Sequence, residues 1–224
     1  MTWLIGAMIV LSILGSGVGF LRREYVYTVG HGLSVWAMSL ALCLKVLLTP
    51  VETGIAAILL TALTFLYGNG LAGFGFLRES RILENRKSFH RLLKENRTTL
   101  SVCRILLLLG LGLLSALMLL PMGFLLWVEA TDLWQWVGLC LCAAGVLLNR
   151  LKLTPSLAVK PEGARNKPLY RHPGCILFWL GILFAGLGCG MPLPLWILSA
   201  LAVAVGLVLF ATAPLTGPET EKQN

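Results

Sequence analysis

Charge is what this chain has least of. Asp, Glu, Lys and Arg make up 12% of its 224 residues, against 57% hydrophobic residues and a mean hydropathy of +0.84. That leaves too little polar surface to cover a water-soluble globule. The signatures of soluble enzymes are also missing: no G-x-G-x-x-G follows a strand, and there is no Walker loop, H-E-x-x-H or G-x-S-x-G elbow. The six cysteines (Cys43, Cys103, Cys140, Cys142, Cys175 and Cys189) lie in or beside apolar runs, without zinc-type spacing to histidines. They read as packing residues, and no metal is expected. Cys140 and Cys142, two apart on a helix, face different ways and make a poor pair.

What is present is a series of apolar runs of membrane length. A hydrocarbon core of roughly 30 Å takes about 20 apolar residues per helix, and the runs at about 2–21, 32–48, 54–77, 100–127, 134–151, 173–190 and 193–212 fit that measure. The expected architecture is therefore all-α, a polytopic membrane bundle of about seven transmembrane helices. Residues 1–213 form its single transmembrane domain and 214–224 a tail. The first run lacks a basic segment before it and an A-x-A-like site after it, so it reads as a helix rather than a signal peptide. Pro121 predicts a kink or an end within the fourth run, because it lacks a backbone donor. Met191-Pro192 predicts a tight turn between the last two.

Basic residues set the expected orientation. Arg22 and Arg23 fall in the first connection. Arg78, Arg81, Arg86, Lys87, Arg91, Lys94 and Arg97 fall in the third, and Arg150, Lys152, Lys160, Arg165, Lys167 and Arg171 in or beside the fifth. The even-numbered connections contain no Lys or Arg. The positive-inside rule then puts the N-terminus outside and the tail in the cytoplasm. The same rule accounts for the net charge of +8 without nucleic acid as a partner, the basic loops abutting membrane lipids instead. Within residues 78–97, Ile82, Leu83, Phe89, Leu92 and Leu93 recur at roughly helical spacing, as in either an interfacial amphipathic helix or a solvated connector.

Few residues are left to carry chemistry. The glycines from Gly68 to Gly75 suit close helix packing, with Tyr67 and Asn69 beside them as hydrogen-bonding groups. His31, after Tyr25 and Tyr27, reads as an interfacial anchor, and Lys45 as a side chain that snorkels to the surface. Asn149 and Arg150 close the fifth run. The sharpest cluster is Tyr170-Arg171-His172-Pro173, where a basic loop meets the sixth run. An Arg fork suits phosphate or carboxylate and His titrates near neutrality, so the cluster could hold an anionic cofactor where cytosol meets bilayer. Pro173 fits the first turn of the helix that follows. Terminating a helix and anchoring headgroups would equally use these residues.

The run Tyr170-Arg171-His172-Pro173 followed by Trp179-Leu180-Gly181 resembles the signature R-H-P-N-Y-x-G-E-x-x-x-W-x-G of the bacterial steroid 5-alpha-reductase-like membrane proteins. The R-H-P element is shared with the isoprenylcysteine and phospholipid methyltransferases. Gly30-His31-Gly32-Leu33-Ser34 is similar to a polar helix start in that family, and Tyr67-Gly68 with Leu71 and Arg78-Glu79 to its Y-G-x-R-L…R-E stretch. The resemblance implies an integral enzyme of the bacterial inner membrane that reduces a double bond of an apolar, lipid-like small molecule. NADPH would be the cofactor, with S-adenosylmethionine as the alternative should the chain follow the methyltransferases. By the same resemblance Arg171, His172, Asn149, Arg150 and Trp179 would hold the cofactor, with His172 and Tyr170 catalytic. The chain departs from the pattern at Gly174, Cys175, Ile176, Leu177 and Phe178, which stand where the signature has Asn-Tyr-x-Gly-Glu. It departs again at Gly70, which replaces an Arg, and at Asn149 and Lys152, where acidic residues are expected. A bundle that kept the fold and lost the chemistry is the third expectation.

Overall fold

The computed structural model describes residues 2–17, 29–49, 53–82, 102–128, 131–158 and 173–212. Among them the chain is all-helical, with no strand: α1 (Thr2–Ser16), α2 (His31–Leu48), α3 (Ile55–Ile82), α4 (Val102–Met118), α5 (Leu120–Leu125), α6 (Leu133–Ala158), α7 (Pro173–Leu187) and α8 (Leu193–Thr212). Within the described residues, every apolar run read from the sequence folds mainly as helix. Helix is the structure that satisfies each backbone polar group within its own segment, which an apolar surrounding demands. Three stretches, His31–Leu48, Ile55–Gly73 and Leu133–Leu151, are long and apolar enough to cross a membrane, while the apolar helices α1, α4 and α7 are shorter. Large apolar side chains cover the outside, among them Leu14, Leu47, Ile55, Leu147, Leu201 and Val208, the surface a lipid-embedded bundle presents.

Two helices run on beyond the sequence expectation. α3 runs on to Ile82 and α6, through Pro155, to Ala158, past the apolar limits at 77 and 151, because loss of hydrophobicity does not by itself stop a helix. Residues 78–82 therefore continue α3, and the rest of the amphipathic stretch, 83–97, lies outside the described residues. The fourth run breaks where Pro121 predicts: α4 ends at Met118, Leu119 leaves helical geometry (φ −94°, ψ 2°), and Pro121 sits in the first turn of α5. Gly190, at φ 65°, ends the turn after α7 in a conformation that glycine adopts without strain, and Met191-Pro192 then lead into α8.

Small residues hold the helices together. α7 packs most extensively on α6, α2 lies against α3 and α1, and α4 against α1. A Cβ on Gly138 would stand 2.5 Å from the Gly181 carbonyl oxygen, and one on Gly145 would stand 2.7 Å from that of Gly174. The reverse additions meet the same walls, so two glycine pairs seven residues apart on each helix close an antiparallel seam. Between the pairs the Cys142 thiol donates to the Phe178 carbonyl at 3.4 Å. Around α1 the seam is hydroxylic: Ser12 Oγ donates to the Gly112 carbonyl at 2.6 Å, Ser34 Oγ donates to the Ser12 carbonyl at 2.8 Å, and Ser16 and Ser34 share a bond of 3.0 Å.

Lys45 does not snorkel. It is 2% exposed, its ammonium donates to Thr49 Oγ1, and Nζ lies 4.3 Å from the centroid of the Trp127 ring. A hydroxyl one turn on and an aromatic face from across the bundle stand in for water.

Candidate functional site

At the end of the bundle where α7 begins, polar and aromatic side chains from five helices meet. His31, the first residue of α2, is 2% exposed, and its Nδ1 lies 2.8 Å from Ser115 Oγ of α4. It is an internal hydrogen-bonding residue rather than the interfacial anchor expected, because the neighbouring helices run past it. α4 starts thirteen residues before Ser115 and α3 ends fifteen residues after Tyr67, each about 20 Å of helix at ~1.5 Å per residue.

His31 lies beside the indole of Trp179, centroids 5.9 Å apart. Tyr67 stacks on Phe178 with centroids 3.7 Å apart and planes 7° from parallel, and it meets Trp179 edge-on at 5.9 Å. Trp179 and Phe178 are themselves edge-to-face at 5.4 Å. Such offset and T-shaped pairs contribute about 0.5–1.5 kcal/mol each beyond the area they bury. α7 reaches its partners because Gly174 and Gly181 let it approach α6 so closely.

The polar rim lies one turn nearer the start of α7. Cys175 Sγ donates to Asn149 Oδ1 at 3.6 Å and is hydrogen-bonded to Tyr67 as well. Asn149 is 7% exposed, and a Cβ on Gly174 would stand 2.7 Å from its Oδ1. Two buried donors, Asn149 Nδ2 and Trp179 Nε1, have no acceptor among the described residues. Buried N–H groups left in that state cost about 1–3 kcal/mol each, so their presence points to an acceptor still to be supplied. The described cluster therefore offers aromatic faces and neutral donors, with no carboxylate among its members.

Of the residues singled out from the sequence, Trp179 lies at the centre of this cluster and Asn149 at its rim. Arg150 is exposed and lines, with Asn149, a cleft between α3 and α6 that Leu66, Tyr67, Gly70, Leu71 and Val146 complete. Tyr170, Arg171 and His172 lie outside the described residues; α7 starts at Pro173, immediately after them. Asn69 is exposed, while Tyr67 is buried. Sequence reasoning missed Ser115, Cys175 and Phe178. A lone hydroxyl in the apolar run of α4 was the available signal for Ser115, since such a group turns inward to find a partner. Phe178 is marked in the sequence only as a departure, standing where the signature has its glutamate.

A scan of protein-family models, a search of curated proteins and a search of solved structures each found no match to the chain.

Proposed function

We propose that this chain is an integral membrane enzyme resembling the NADPH-dependent reductases of steroid and lipid double bonds, with a cofactor site facing the cytoplasm and an apolar substrate taken from the bilayer. The reading includes seven spans in the bacterial inner membrane, with the N-terminus outside and the tail inside, as the basic residues of the odd-numbered connections argue. The observation that carries it is the junction at Pro173. The R-H-P element runs straight into a helix whose first two turns deliver Cys175, Phe178 and Trp179 to a buried polar and aromatic cluster.

The described residues fit the ring end of a nucleotide cofactor in part: the Trp179 indole N–H is an unused donor, and the ring faces are apolar. Arg171 would pair with phosphate, His172 would donate or hold a proton, and Tyr170 would stand beside them. NADPH, when bound, supplies the hydride for a double-bond reduction. Replacing Arg171 by Ala is expected to abolish the NADPH-induced rise in thermal stability of the purified chain without loss of folded protein. Wild-type stabilisation in that variant would overturn the assignment.

A second reading, an S-adenosylmethionine-dependent methyltransferase or a bundle without catalysis, is favoured by Phe178. It occupies the position of the signature's glutamate, and its ring is stacked on Tyr67, so no acid is offered there. Stabilisation by S-adenosylmethionine and not by NADPH would select the methyltransferase, and stabilisation by neither would select the noncatalytic bundle.

A further inference from the structure

The cleft between α3 and α6 is built differently from the cluster it adjoins. Its walls are Leu66, Tyr67, Gly70 and Leu71 on α3 and Val146, Asn149 and Arg150 on α6. One side is apolar and Leu66 is exposed at it; the other carries an exposed guanidinium next in sequence to a buried carboxamide. The cleft is a shallow groove rather than an enclosed pocket: most of its empty space lies at the open mouth, and its interior has room for little more than a water. It cannot enclose a nucleotide, and a ligand there would lie along it on the outside of the bundle. Gly70 faces open space here, since a Cβ there would meet nothing within 4 Å. At its polar end Asn149, 7% exposed, has an Nδ2 donor with no acceptor among the described residues.

We propose that this cleft binds an anionic phospholipid of the cytoplasmic leaflet, its phosphate at Arg150, an ester or glycerol oxygen at Asn149 Nδ2, and an acyl chain along Leu66, Gly70 and Val146. Three chemistries converge on that occupant. A guanidinium fork recognises phosphate. A buried amide donor needs an oxygen acceptor, and an apolar wall open on the outside of the bundle receives a chain. The leaflet rests on the orientation given above, while the site does not rest on the enzymatic reading. It assigns Asn149 and Arg150 to lipid and leaves the cofactor to Arg171, His172, Tyr170 and Trp179.

The test is native mass spectrometry of the detergent-purified full chain titrated with phosphatidylglycerol or phosphatidylcholine. The wild type is expected to retain phosphatidylglycerol at least tenfold more tightly. Arg150→Gln is expected to erase that preference, and Gly70→Trp to weaken phosphatidylglycerol binding tenfold or more by filling the cleft. Gly110→Trp is the control for added bulk: it puts the same ring on α4 at an exposed glycine whose Cβ also meets nothing, and it is expected to bind as the wild type does. Equal uptake of both lipids by the wild type would mean annular lipid only and overturns the proposal. So does a preference that survives Arg150→Gln, or equal losses in the two tryptophan variants. Should Gly70→Trp fail to fold, the exposed Arg150→Gln still decides. Nucleotide stabilisation is a separate measurement, so its absence leaves this site standing.

Discussion

α6 shows two unlike faces. Toward α7 it is sealed: Gly138 and Gly145 lie so close to Gly181 and Gly174 that an added methyl on any of them would strike backbone oxygen. Toward α3 it stays ajar at the level of Asn149, where Gly70 faces open space. Both faces use glycine, with opposite results, because what matters is the atom a Cβ would meet rather than glycine content. Where the other backbone is within reach, glycine draws two helices together and fixes the rings of Phe178 and Trp179 beneath Tyr67. Where nothing is within reach, glycine leaves a shallow groove at the surface of the bundle.

The strongest way to break that contrast is to put bulk into the sealed face. In Gly145→Leu the Cβ would stand 2.7 Å from the Gly174 carbonyl oxygen and from the Phe178 backbone nitrogen, neither of which is a flexible group. A loss of about 3 kcal/mol or failure to recover folded protein is expected, read by thermal unfolding in detergent. A wild-type melting curve would show that the seam is not as tight as drawn. A smaller effect comes from Phe178→Leu, which keeps an apolar side chain but removes the ring stacked on Tyr67 at 3.7 Å. About 1–1.5 kcal/mol should be lost. Because Tyr67 also lines the open cleft, the variant is expected to alter lipid retention as well, linking the two faces through one ring.

The helices were legible in the sequence because hydrophobic run length reports directly on them, and Pro121 and Pro173 marked a break and a start that the structure repeats. The cluster was less legible. Trp179 stands out only through the tryptophan of the family signature and Asn149 by closing the fifth run beside a basic loop, while His31 and Lys45 read as surface residues by position along the chain. Their burial depends on which helices run past them, and that is a property of packing. The glycine seam was hidden for the same reason. The sequence points to close packing where glycines crowd, between Gly68 and Gly75, whereas the tightest pairs are formed by isolated residues on two helices that no run connects. Within the crowded stretch Gly68 does behave as expected, its Cβ position lying 2.7 Å from the Trp36 backbone nitrogen, and Gly70, two residues on, does not.

Gly70 therefore gives the smallest effect and the most discriminating sign. Glycine in a helix interior is roughly 0.5–1 kcal/mol less favourable than alanine when the added methyl is accommodated. Since a Cβ at Gly70 would touch nothing, Gly70→Ala should raise stability by about that amount, while Gly145→Ala, whose methyl meets carbonyl oxygen, should lower it. A single methyl narrows the cleft without filling it, so lipid retention should fall less in Gly70→Ala than in Gly70→Trp. Thermal unfolding of the two alanine variants side by side checks the signs. Destabilisation by both would mean that α3 and α6 close on each other as α6 and α7 do, and the difference between the two faces would disappear.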